Sequence, residues 1–430
     1  MNFSLEFFLQ LGINGLLLGG FYAAATLGFS TIWGVMRLIN LAHGEFLLMG
    51  AFTAWFFFNP AREQSLNIGS INPAVTLVIM LIIAFFIGIA LSENTAMRQR
   101  FANLRTRTLG TVLASVAVAM ILFGLWSLFN FGTIQISMKA MVMGGLVLSL
   151  GFLISHMLLG TVLQFGDQRT RRMFGYGLSI VVCLIFYAWW EGSGFPSIDP
   201  FLTLPFIFVL YFGFGYVLQR VLLNRLVEGT YLTMLLVTFA LSIALQNLGL
   251  MIYRADPRRI NVDYGTAMRL TPSLTVAPVK LLTVVISAGL MVGLVLFLRH
   301  TRIGYAIRAA AQHKMAARLM GINIYETYAI TFGVSLALTA MAGAMMGTFQ
   351  AITPVTGPIW TLRAFAIVAL GGLGKVKGVV VGGLVLGLAE SYIGGYVNTG
   401  WAAAAAFMLL VMMLVLRPQG ITGGLVAAEE

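Results

Sequence analysis

Charge is scarce in this chain: Asp, Glu, Lys and Arg make up 9% of its 430 residues, where a soluble globular protein carries roughly 25%. With 59% of the residues hydrophobic, that shortage excludes a soluble enzyme. Cysteine is nearly missing too. The single Cys183 excludes a disulfide framework and a thiolate metal cluster. The first ten residues hold no Lys or Arg and do hold Glu6, so the opening apolar stretch does not read as a cleavable signal peptide and is expected to stay in the mature protein. Alternating apolar segments of roughly 10 residues are also lacking, which argues against an outer-membrane barrel.

What is present is a succession of long apolar runs. They lie at about residues 8 to 33, 44 to 58, 73 to 91, 109 to 131, 141 to 164, 173 to 191, 201 to 219, 231 to 253, 279 to 298, 326 to 350, 362 to 374, 378 to 397 and 400 to 416. The pattern predicts an all-α, polytopic integral membrane protein with about thirteen transmembrane or re-entrant helices. The runs at 44 to 58 and 362 to 374 are short for a full crossing, so one is expected to be a half-helix or re-entrant segment. The 48 glycines suit close packing of membrane helices.

The net charge of +12 would suggest a nucleic-acid partner in a soluble protein, but here the basic residues sit between apolar runs, where they set orientation. One side carries Arg37, the arginines from 98 to 107 and from 169 to 172, Arg220, Arg225, the basic residues from 299 to 318, Lys375, Lys377 and Arg417; the other carries the rest. The richer side is expected to be cytoplasmic, with the amino terminus outside and the carboxyl terminus inside. Arg254, Arg258, Arg259 and Arg269 share one outer loop and run against the rule, partly offset by Asp256 and Asp263.

The segment from Arg299 to Tyr325 is the longest basic stretch. Its Ala-rich middle, Tyr305 to Met320, predicts one short helix, with Ile303, Ala306, Ile307, Ala310, Lys314, Ala317 and Arg318 on a helical repeat and Gly321 as its end. Composition leaves two readings open: a connector anchored to anionic lipid, or a helix that transmits force from a partner.

Two motifs mislead. Gly371 to Gly378 reads GGLGKVKG, but Val376 stands where a phosphate loop needs Ser or Thr and Ala369 where it needs the first Gly. These glycines are expected to let two helices turn and pack. His43 and Glu45 lack an HExxH frame, and the other histidines lie elsewhere, so no metal site is expected. There is no GxSxG elbow and no pair of intramembrane carboxylates at catalytic spacing, so this chain is not expected to be an enzyme.

Residue order adds more. Four blocks resemble the LivH-type permease subunit of branched-chain amino acid ABC importers: NGLLLGGFYAAATLGFSTIWGVMRLINLAHGEFLLMGAF from Asn14 to Phe52, LVTFALSIALQNLGLMIY from Leu236 to Tyr253, TRIGYAIRAAAQHKMAARLMGINIYETYAITFG from Thr301 to Gly333, and AFAIVALGGLGKVKGVVVGGLVLGLAESYIGG from Ala364 to Gly395 followed by RPQGI. The resemblance implies a permease core at 1 to 58 and 201 to 430, with residues 59 to 200 as an extra four-helix membrane insertion. Two stretches depart from the family: Lys375, Val376 and Lys377 stand in its final Gly-rich turn, and His313 and Lys314 stand where an acidic residue is common.

The resemblance further implies import of branched-chain or related amino acids, or of similar small polar solutes such as urea or amides, by alternating access in a bacterial cytoplasmic membrane. Its expected partners are two ATP-binding subunits, a second, LivM-like permease, an extracytoplasmic solute-binding protein and membrane lipid, but no nucleic acid. No cofactor is expected on this chain; ATP and magnesium would belong to the ATPases. The segment 299 to 325 would dock on them through Tyr305, Arg308, Ala309, Ala310, Ala317, Arg318 and Gly321. A self-sufficient secondary transporter or channel is the alternative, but it would need its own coupling-ion site, and no cluster of intramembrane carboxylates supplies one.

Polar groups in the bilayer mark pathways or paired contacts. Asn40, His43, Gly44 and Glu45 lie between the first two runs, where a break would expose peptide groups able to bind an amino acid's charged ends, or where they would cap and brace a turn. Gln246 and Asn247 face either a neighbouring helix or a passing solute. Glu390 lies mid-run and is expected to meet an Arg or a helix terminus. Asn14 sits deep in the first run, where helix packing is its default role.

Overall fold

Apolar runs in a membrane must satisfy their own backbone groups, and helices do this within one segment. The computed structural model describes residues 5–58, 66–67, 135–136, 199–227, 231–265, 267–271, 274–417 and 419–423. The chain divides into two units, Met1–Ala61 with Leu146–Glu430, and Arg62–Gly145. In the second, the described residues form an antiparallel pair, β1 (Leu66–Asn67) and β2 (Gln135–Ile136). The expected spans at 73 to 91, 109 to 131, 141 to 164 and 173 to 191 lie outside the described residues.

The first unit is a helix bundle. Its elements are α1 (Leu5–Met36), α2 (His43–Phe58), α3 (Leu204–Val221), α4 (Tyr231–Tyr253), α5 (Pro278–His300), α6 (Arg302–Gln312), α7 (Lys314–Leu319), α8 (Ile324–Phe349), α9 (Gly357–Gly371), α10 (Val376–Tyr396) and α11 (Thr399–Leu416), with a hairpin of β3 (Met268–Thr271) and β4 (Leu274–Val276). Among the described residues, seven helices are long and apolar enough to cross a membrane. The protein is thus an α-helical, polytopic membrane protein. Each expected run outside the second run's long gap from 59 to 198 finds a helix.

Hydropathy does not distinguish inner helices from outer ones. The most apolar stretch of α4 is slightly more apolar than that of α8, yet the α8 stretch is 94% buried and the α4 stretch 11%. Small residues make the difference, because they let neighbours approach. A Cβ on Gly343 would overlap the carbonyl of Leu47 on α2, and one on Gly333 would crowd the carbonyl of Phe212 on α3. The buried hydroxyls of Thr331, Ser335 and Thr339 each donate to the carbonyl four residues back, so α8 carries polar side chains inward without leaving donors unpaired. Gly15 and Gly19 of α1 meet Gly383 and Gly387 of α10 in the same way, backbone against backbone.

These contacts fix directions. Phe21 packs on Phe349 and Gly28 on Ser335, so α1 and α8 are antiparallel. Leu47 faces Gly343 and Ala51 faces Gly347, so α2 runs with α8 and against α1. Tyr22 meets Trp360 and Phe29 meets Phe365, so α9 runs with α1 and against α8.

Candidate functional site

Arg37 ends α1 in a left-handed conformation, with φ of 51°. The chain then climbs back along α1, and α2 starts where the His43 ring Nε2 reaches the Ala25 carbonyl at 2.9 Å and its edge meets Phe29. On the other side of the bundle the chain leaves α8, passes Pro354–Thr356, and starts α9 at the level of Tyr22 and Trp360. Thr356, Gly357 and Pro358 are a helix-start signal, with Pro in the first turn. Each hairpin is therefore a long helix followed by a short one that begins near the bundle centre, and the two hairpins point in opposite directions.

The short helices meet at their amino ends. The Gly44 N–H donates to Thr361 Oγ1 at 2.8 Å, and that hydroxyl donates to the Leu41 carbonyl at 3.1 Å. A Cβ on Gly44 would overlap the Gly357 carbonyl, and a Cβ on Gly357 would occupy the place of the Glu45 carboxyl group. Glu45 is 3% exposed and accepts from Ser242 of α4 at 3.3 Å. A carboxylate at the start of α9 lies where the helix presents unpaired N–H groups and partial positive charge. Asn40 uses its Oδ1 to accept from the Ala42 N–H at 3.1 Å. Its Nδ2 and His43 Nδ1 are buried without a partner among the described residues.

The sequence expectation of one interrupted span thus becomes two, α2 and α9. It places Asn40, His43, Gly44 and Glu45 together, and the structure adds Ser242, Gly357 and Thr361, which sequence reading missed. The Gly357-Pro358 start was the available signal; Ser242 and Thr361 had none, since isolated hydroxyls are common in membrane helices.

Gln246, Asn247, Asn14 and Glu390 do not join this junction. Asn247 is exposed on α4 and its Nδ2 donates to the Ile243 carbonyl of its own helix at 2.8 Å. Gln246 and Asn14 are half-buried. Glu390 lies farther along, between α9, α10 and α1: Arg363 Nε meets its Oε1 at 3.1 Å, the Tyr22 hydroxyl donates to its Oε2, and the Arg363 guanidinium lies over Trp360 at 4.9 Å. Arg363 therefore belongs inside the bundle, and counting it with the outer basic residues is corrected: a charge that neutralises a buried carboxylate does not report topology.

The basic segment also departs from expectation. It forms two helices rather than one, because His313 leaves helical geometry at φ −151° and its Nδ1 accepts from the Ala316 N–H at 3.1 Å as a new cap. Gly321 follows α7 in the left-handed region, at φ 83°. Ala310 and Ala317 do not offer room to a partner; they are buried against Val35, Met36, Ile324 and Tyr328. The outward side chains are Tyr305, Met315, Leu319 and Met320, the last two 86% and 83% exposed. Arg308 stacks on Tyr305 and Arg318 on Tyr325, Lys314 lies over Tyr328, and Ala309 is half-buried. The glycine-rich turn is a packing device, with Gly372 and Gly374 at φ 102° and 77° and Lys375 held by the Thr422 and Gly423 carbonyls.

Residues 100–416 match the family model described as "Branched-chain amino acid transport system / permease component". The chain is 32% identical over 218 residues to the high-affinity branched-chain amino acid transport system permease protein LivH of Salmonella typhimurium, covering 49% of this chain and 70% of that one. The same figures hold for the permease protein BraD of Pseudomonas aeruginosa. The ribose import permease protein RbsC of Escherichia coli is 33% identical over 97 residues, 21% of this chain and 30% of that one. No solved structure matches the chain. A described bundle of membrane helices and a family match over more than half of the sequence together establish that the chain belongs to the permease components of branched-chain amino acid transport systems.

Proposed function

We propose that this permease is one of two membrane subunits of an ATP-driven importer for branched-chain amino acids or related small polar solutes, in a bacterial cytoplasmic membrane. Two ATPase subunits hold the ATP and magnesium, and a solute-binding protein delivers the solute from outside. The observation that carries this reading is the meeting of α2 and α9 at the bundle centre, with Glu45 between them. Helix amino ends and the free Asn40 Nδ2 favour a carboxylate, while the Glu45 carboxyl group and the free His43 Nδ1 favour an amino group, so the junction has both chemistries a zwitterion needs.

The docking segment is placed to act on that junction. Ala310 and Ala317 pack on the end of α1 and the start of α8, the same two helices that carry Ala25 and the α9 hairpin. Closure of the ATPases would shift α6 and α7, and α1 would carry the shift to His43 and to Tyr22, whose hydroxyl holds Glu390. Residues 59 to 200 are a peripheral insertion in this reading, and their removal should leave a core that still inserts. The test is reconstitution with the ATPases and the binding protein in sealed vesicles. ATP-dependent uptake of leucine, isoleucine or valine is expected; uptake driven by an ion gradient without ATP would overturn it in favour of a secondary transporter.

A further inference from the structure

The two helices of the docking segment meet at His313, and this residue holds both. Its N–H donates to the Ala309 carbonyl at 3.1 Å and closes α6, while its own carbonyl accepts from the Ala317 N–H at 3.0 Å and opens α7. The ring adds a third bond, in which Nδ1 accepts from the Ala316 N–H at 3.1 Å. At the far end α7 is closed by backbone: Gly321 and Ile322 donate to the Arg318 and Ala317 carbonyls.

Little else secures α7. It has six residues, and Ala317 alone among them is buried; isolated helices are marginal below about 12–15 residues. Met315 and Leu319 on α7, and Met320 just after it, are exposed. The direction in which this apolar tip faces therefore depends on the first turn of α7, and that turn depends on its cap.

A cap of this kind needs a lone pair. A neutral imidazole with its proton on Nε2 offers one on Nδ1, whereas an imidazolium carries N–H on both nitrogens and cannot accept. It would also set positive charge at a helix amino end, where the helix dipole disfavours it. The charge on the neighbouring elements is mainly positive. Arg302 and Arg308 stand on α6, the latter over Tyr305, Lys314 and Arg318 on α7, and Arg37 after α1. On α8, Tyr328 and Tyr325 lie under Lys314 and Arg318, and Glu326 accepts from the Tyr216 hydroxyl.

We propose that His313 is a pH-sensitive positioning residue of the docking segment, an inference that rests on the docking reading above. Neutral, it caps α7 and holds Leu319 and Met320 toward the ATPase; protonated, it releases the first turn of α7 and coupling weakens. Histidine gains its proton as pH falls across the range of about 8 to 5, so the cap is complete on the alkaline side and acidification of the cytoplasm slows import.

The test uses the permease with its ATPases in nanodiscs, titrated from pH 8 to 5.5 with the solute-loaded binding protein. Two quantities are read: stimulated ATPase, and the mobility of a nitroxide at Leu319→Cys in a complex otherwise free of cysteine, with Cys183→Ser. Each is compared with His313→Asn, whose side-chain oxygen caps a helix without titrating. Relative to that variant, stimulation in the parent should fall about fivefold between pH 7.5 and 5.5 while the nitroxide becomes more mobile. His313→Ala should be weakly coupled and mobile at every pH, and His300→Asn should keep the parent's profile. Identical profiles for the parent and His313→Asn would overturn the proposal, as would loss of the pH response in His300→Asn. If His313→Ala does not assemble, the comparison with His313→Asn decides alone. A parent whose ATPase is stimulated at no pH, but whose nitroxide still follows pH through His313, would sink the docking reading and leave the cap standing.

Discussion

Gly44 and Gly357 stand so close that neither position has room for a side chain, although 312 residues of intervening sequence separate them. Alanine at 44 would drive a methyl group into the backbone of α9, and alanine at 357 would drive one into the Glu45 carboxyl group, a cost of about 1–3 kcal/mol or more where the neighbours cannot shift. Gly44→Ala and Gly357→Ala should lower thermal stability in detergent and abolish uptake. Gly289→Ala, in α5 where a methyl group meets nothing within 4 Å, is the control and should leave both unchanged.

Glu45→Gln keeps an oxygen for Ser242 to donate to and removes the charge beside α9. Yield and melting temperature should therefore hold, while uptake at saturating binding protein falls severalfold. Full transport by this variant would remove Glu45 from the pathway.

Glu390 should behave in the opposite way. Leaving Arg363 without its carboxylate inside the bundle costs on the order of 3 kcal/mol, so Glu390→Gln should reduce yield and stability while the surviving protein transports normally. Pairing it with Arg363→Met should recover much of the loss, and a double variant no better than the single one would refute a charge-pair role.

On the docking segment, Leu319→Asp and Met320→Asp should break ATP coupling without harming insertion, because both side chains point outward. Ala317→Leu should instead destabilise the fold, since that position lies on the buried face of α7, in one cluster with Ala310, Ile324 and Tyr328. Cysteine crosslinks from Met315 and Leu319 should reach an ATPase subunit; crosslinks from Ala317 should not.

Much of the bundle was legible in sequence because long apolar runs leave helices as the only economical backbone solution, and the shortness of the runs at 44 to 58 and 362 to 374 pointed to a half-helix or re-entrant segment at one of them. The polar cluster from Asn40 to Glu45 was legible for the same reason: three polar side chains within six residues are out of place among apolar neighbours. Other features were hidden by distance along the chain. Tyr22 and Glu390 are 368 residues apart, and nothing local in either marks the other. The break at His313 has neither Gly nor Pro to announce it, since a histidine side chain does the capping. The inward turn of Ala310 and Ala317 was misread because alanine suits both a packed face and an open one.

The opposed hairpins, α1 with α2 and α8 with α9, give the central junction no intrinsic front or back. A short helix lies to either side of it, each tied to the other by the same Gly44 and Thr361 contact. A single hydroxyl, Thr361 Oγ1, then works as a rivet between opposed hairpins: it accepts from the Gly44 N–H and donates to the Leu41 carbonyl, so the two short helices cannot part at this point without breaking that pair of bonds.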